Sequence, residues 1–123
     1  MDSVDFGTIQ IRYLILSCMS TRMEQLQKML ETEPHDSFLN YALALEHGKT
    51  NDITTAIQLI TAIIERDQNY LGAYYQLGQY YEQTQQIDAA VQTYKKGIQI
   101  AIQQKNRKTQ MELNEALLQL EDE

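Results

Sequence analysis

Proline is almost missing from this chain. Pro34 is the only one in 123 residues, and there are five glycines. With so few breakers, little interrupts the chain after residue 20. Cysteine is equally scarce. Cys18 stands alone, so no intramolecular disulfide can form, which fits a reducing compartment. It lies among apolar residues with no histidine near it in sequence, the setting of a packed thiol rather than a nucleophile. Positive charge is short too: 10 Lys and Arg stand against 17 Asp and Glu, a net charge of -7. A nucleic-acid surface needs clustered cations. The densest basic stretch, Lys105-Asn106-Arg107-Lys108, reads as a solvated turn. Long apolar runs are absent as well. Residues 9–19, IQIRYLILSCM, are interrupted by Arg12 and fall well short of the ~20 residues of a spanning helix. Asp2 and Asp5 precede them and no small-residue cleavage site follows, which argues against a signal peptide. No membrane partner and a cytoplasmic location are the expectations.

The raw materials of catalysis are also thin. The two histidines are His35, in an expected loop, and His47, at a helical position expected to face the core. No Cys-x-x-Cys, His-Glu-x-x-His, Gly-x-Ser-x-Gly or glycine-rich phosphate loop occurs. Met19, Met23 and Met29 read as packing rather than as a soft metal site. No catalytic residue, metal ligand or cofactor site is assigned, and an enzyme is not expected.

Helical periodicity is abundant. Ile53, Ala56, Ile57, Ile60, Ile63 and Ile64 form the i, i+3, i+4, i+7 stripe of a one-faced helix. Ile87, Ala90, Val91, Tyr94 and Ile98 repeat it, with Ile87 answering Ile53 and Ala90 answering Ala56. The same offset lays Tyr41 on Tyr75, Leu43 on Leu77, Thr50 on Thr84, Gln58 on Gln92 and Ile64 on Ile98. A period of 34 built from two short helices marks a helical repeat array. The tyrosines gain a context from it, since five of eight fall between Tyr70 and Tyr81.

Tyr74, Leu77-Gly78, Tyr81, Ala90, Tyr94 and Gly97 have the residue types and spacing of a tetratricopeptide repeat, and the chain resembles that family. Only the closing proline is replaced, by Ile102. The preceding unit is weaker. It keeps Leu43, Ala44 and Ala56, but has Asn40 and His47 at aromatic positions, Ile60 for the second aromatic, Ile63 for the small residue and Gln68 for the proline. Pro34 closes a still earlier helix.

The resemblance implies an all-α, right-handed superhelix of antiparallel helix hairpins, with about six helices and the size of the short two-repeat bacterial members. Helices are expected near 22–32, 36–48, 53–66, 71–84, 87–104 and 107–121. Repeat units would span about 37–70 and 71–104, within a domain of 23–123, and the last helix would cap the array. Asp36 suits an N-cap, Asn51 a left-handed turn, and Thr21-x-x-Glu24 a capping box. Residues 1–22 fit either an extension packed on the first helix or a segment from an upstream start without a defined role. Ala56, Ala90 and Gly78 are expected where helices cross closely, with Tyr74, Tyr81 and Tyr94 filling the wedge between them. Tyr70 and Tyr80 read as edge residues.

In the family, a second stripe of the first helix of each unit lines a concave groove. Here that stripe holds Phe38, Tyr41, Leu45 and Lys49 in one unit and Tyr75, Gln79, Glu82 and Gln83 in the next. The alternative for Phe38, Tyr41 and Leu45 is packing against helix 22–32 or the N-terminal extension. Members that grip a terminal carboxylate place Lys and Asn or Arg on this stripe, whereas Tyr41, Tyr75, Leu45 and Gln79 stand there in this chain. The implied function is a non-catalytic module or scaffold binding a protein or peptide segment. The alternative is a structural protein that self-associates through a repeat end or the N-terminal apolar segment.

Overall fold

The computed structural model describes residues 22–121, which form six helices and no strand. They are α1 (22–32), α2 (Ser37–Lys49), α3 (Ile53–Arg66), α4 (Gly72–Gln83), α5 (Ile87–Gln103) and α6 (Arg107–Glu121). Each of α2 to α6 lies within one residue of the span expected from periodicity. The capping box at Thr21 and the questions about the first segment fall on residues 1–21, outside the described residues.

Side chains supply the missing acceptors at three helix starts. Asp36 accepts from the Leu39 amide at 2.8 Å, Asp52 from Thr55 at 3.3 Å and Asn106 from Thr109 at 3.1 Å. Three helix ends close alike. The amides of Asp52, Gln86 and Asn106 each reach back to a carbonyl of the last turn, those of His47, Tyr81 and Ala101. This closure needs a left-handed residue just before the donor. Asn51 (φ 66°), Gln85 (φ 62°) and Lys105 (φ 57°) take that place. Asn51 was legible; Gln85 is its counterpart in the next repeat.

Consecutive helices pack on one another from α2 to α6. The buried face of α3 is Ala56, Ile60 and Ile63; that of α5 is Ala90, Tyr94, Gly97, Ile100 and Ala101. Ala56 and Ala90 are fully covered. A Cβ built on Gly78 would overlap the Tyr94 ring, and one on Gly97 would stand 2.7 Å from Tyr74 Cβ. These glycines lower helix propensity, yet only they admit the two fully buried tyrosines. Burying each ring contributes about 1.5–3 kcal/mol. Tyr81 is half-buried, packed against the cores on both sides of α4.

One expectation needs correction. Tyr80 is not an edge residue: it is 5% exposed, and its hydroxyl occupies the space a Cβ on Gly48 would need. Tyr70 is half-buried, with its ring centroid 5.5 Å from that of Tyr41.

The connections between hairpins share one device. The Tyr74 hydroxyl donates to the Gln68 carbonyl at 2.7 Å. Asn40 holds the matching position of the preceding repeat. Its side-chain amide donates to the Pro34 carbonyl at 3.1 Å and to that of Asp36 at 2.8 Å. Asn40 therefore replaces the hydroxyl rather than the ring, which accounts for a buried polar side chain where the family pattern has an aromatic.

Candidate functional site

The stripe residues sit on α2 and α4, and their surroundings divide them. Phe38 is 63% exposed and Tyr75 37% exposed, a large outlay of aromatic surface to water. Tyr41 is half-buried against Tyr70, and burial pushes its phenol above the ordinary range. Leu45 is half-buried and Gln83 exposed. Lys49 is exposed but not free. Its ammonium lies 3.0 Å from Glu46, which also pairs with Arg22 at 3.2 Å.

Gln79 and Glu82 form a polar pair around a residue the stripe did not include. The Gln79 amide donates to the Tyr94 hydroxyl at 2.8 Å, and that hydroxyl donates in turn to the Glu82 carboxylate. Tyr94 comes from α5, with its ring buried against Gly78. Its hydroxyl is covered by Gln79 and Glu82, which are themselves half-buried. Burial and the neighbouring carboxylate together hold the phenol far above its usual range, so it stays protonated. The Tyr75 ring lies 6.3 Å from that of Tyr94, tilted by 48°. The cluster thus presents an aromatic face, an amide and a carboxylate, each with a fixed orientation. The sequence marked Tyr94 as core; what it did not show was how far the hydroxyl reaches through α4. The glycine opposite the ring was the available signal.

Tyr80 was missed for a similar reason. Gly48, on α2, gives its hydroxyl room, so an aromatic of α4 bridges to α2 beside the stripe. His47 is half-buried, with Nδ1 3.3 Å from Asp52. The Asp52 carboxyl is held below its ordinary range, first by the Thr55 hydrogen bond and then by His47. Among the described residues no group of three or more His, Cys, Asp or Glu side chains could hold a metal. No helix among them is long and apolar enough to cross a membrane.

The tetratricopeptide repeat profile matches residues 71–101, the unit in which Gly78 and Gly97 face the two buried tyrosines. A tetratricopeptide repeat domain protein from Salinibacter ruber is 39% identical. Its crystal structure is covered over 97% of its length by 71% of this chain, with a TM-score of 0.68.

This chain belongs to the tetratricopeptide repeat family.

The solution structure from the same organism also shows 39% identity, covering 72% of this repeat protein and 90% of that chain at a TM-score of 0.70. The TPR2B domain of yeast Sti1 is only 17% identical, yet it aligns over 90% of this chain and 89% of its own at a TM-score of 0.78. That likeness speaks for the fold alone. No curated protein matches the sequence.

Proposed function

We propose that this repeat protein is a non-catalytic interaction module that holds a segment of a partner protein along the α2 and α4 stripes. The units behind this reading are 37–70 and 71–104, with 107–121 as the closing helix. One observation carries it: Tyr75 leaves aromatic surface in water beside the fixed Gln79–Tyr94–Glu82 polar cluster, and Phe38 is exposed on α2. Exposed aromatics next to oriented hydrogen-bonding groups are what a peptide site offers. Tyr41 and Leu45 would line its flank, with Lys49 and Gln83 at its rim. The yeast Sti1 TPR2B domain was solved as a complex with pHsp70, an example of this fold holding a protein ligand. Tyr41, Leu45, Tyr75 and Gln79 offer no cation for a terminal carboxylate, and Glu82 would repel one. The favoured segment is therefore apolar, with amide or cationic groups.

Tyr75→Ala tests the reading. Proteins co-purifying with the wild type should be lost from the variant, while the thermal midpoint moves by only a few degrees. A variant that keeps its bound proteins and loses its fold would mark Tyr75 as a packing residue and end the proposal.

A further inference from the structure

One face of α1 lacks the cover that the same face of α3 and α5 has. Arg22 and Met29 are exposed, Met29 by 54%. The matching positions are Ala56 and Ile63 on α3 and Ala90 and Gly97 on α5, and all four are buried. In the last repeat the cover comes from the first helix of the same unit. Tyr74 Cβ stands 2.7 Å from the point where a Cβ on Gly97 would lie, and Thr93 and Lys96 line a cleft together with Tyr74, Leu77 and Tyr81. Gln25, Lys28 and Met29 of α1 correspond to Thr93, Lys96 and Gly97. With Thr32 they line an open cleft of about 440 Å³. Among the described residues, α1 is a second helix without its first.

We propose that residues 3–15 of this chain are that first helix, laid antiparallel on α1 to complete a third repeat unit. Phe6, Ile9 and Tyr13 stand one repeat before Asn40, Leu43 and His47, and two before Tyr74, Leu77 and Tyr81. The aromatic spacing that the 37–70 unit lost returns here, and Phe6 falls opposite Met29. Residues 16–21 leave a connection of at most six, short enough to hold the two helices side by side. A second exposed ring also finds its place. The Tyr41 hydroxyl lies 4.0 Å from where a Cβ on Gly72 would stand. One repeat earlier, Gly7 and Phe38 hold these two positions with glycine and ring exchanged. Phe38 then lies over Gly7 and becomes half-buried, as Tyr41 is. The outer face is polar: Ala73 and Tyr80, which pack α4 on the repeat before it, are matched by Asp5 and Arg12. A first unit has no predecessor, and a polar outer face is what the end of an array requires. Two positions depart from the pattern, Gln10 for Gly78 and Arg22 for Ala90. Gln10 meets Leu26 where Gly78 meets Tyr94, and Arg22 is drawn aside to Glu46 of α2, at 3.2 Å. Tyr75 and the Gln79–Tyr94–Glu82 cluster lie on α4 and α5, so this pairing does not depend on the groove.

Peroxide oxidation of the full chain, followed residue by residue with mass spectrometry, tests it, because methionine oxidation follows exposure. Met111, 65% exposed on α6, is the internal standard. Without cover, Met29 would oxidise at a similar rate; under residues 3–15 it should lag about fivefold or more. Phe6→Asp should bring Met29 up to the rate of Met111, while circular dichroism retains most of the helical signal. Arg12→Asp, on the outer face, should leave the lag unchanged. A wild type in which Met29 and Met111 react alike overturns the proposal. So does a lag that Phe6→Asp leaves intact, or that Arg12→Asp also abolishes. A lag that vanishes on dilution would assign the face to a second copy and overturn it too.

Discussion

The two repeat units solve one packing problem with different volumes. In the first, Ala44 on α2 and Ile60 on α3 belong to one core cluster. In the second, the same register places Gly78 on α4 under Tyr94 on α5. A methyl gained on one helix accompanies a ring lost from the other. A second pair shifts likewise: Asn40 and Ile63 in the first unit become Tyr74 and Gly97 in the second. Helix spacing is thus held by the sum across a crossing, and neither partner's size is meaningful alone. The hydrogen bond to the linker survives the exchange because both Asn40 and Tyr74 can donate.

The largest expected effect breaks one crossing outright. Tyr94→Ala should cost about 3–5 kcal/mol, read as a lower urea midpoint, because Gly78 offers nothing to refill the space. Moving the first unit's solution into the second sharpens the comparison. Gly78→Ala alone should cost about 1–3 kcal/mol against the ring, while adding Tyr94→Ile should recover much of it. If the two changes simply add, the compensation is not real.

A smaller effect separates the units by pH. The phenols of Tyr41, Tyr70, Tyr74, Tyr80 and Tyr94 all sit above their ordinary value, chiefly through burial. A raised pKa means that the folded state keeps protons the unfolded chain gives up. Their stabilisation is therefore complete below about pH 10 and lost as pH rises through the folded values. Stability should fall above that point, and less steeply in Tyr94→Phe, the group with the largest displacement. Equal slopes would mean that Tyr94 does not differ from its neighbours.

The smallest effect compares the turns. Gln85 holds the left-handed conformation that Asn51 holds at the matching place. Gln85→Asn should raise stability by about 0.5–1 kcal/mol in chemical denaturation, since asparagine tolerates that region better. No gain would show that the second turn is already relaxed.

Much of the fold was legible because its signals are local or periodic. The helices followed from apolar spacing, and Gly78, Ala90, Tyr94 and Gly97 announced the tight crossings. What escaped depends on contacts between units. Tyr80 looked like an edge residue because its partner, Gly48, is on another hairpin, and Asn40 looked like a defect until its carbonyl acceptors were in view. In the candidate site, Phe38 and Tyr75 are exposed, while Gln79 and Glu82 are tied to a tyrosine from the helix behind them. Periodicity tells which side of a helix faces outward, but not how long a neighbour's side chain must be to pass through.

The Tyr94 hydroxyl gives the second unit a property that Ile60 denies the first. One buried hydroxyl holds Gln79 and Glu82, the half-buried side chains that reach the surface above it. Substituting that residue to improve the interior also rewrites what the surface offers, and a ligand that draws Glu82 aside strips the phenol of its acceptor. An engineer could change the inside and outside of the first unit separately; in the second, they come as one piece.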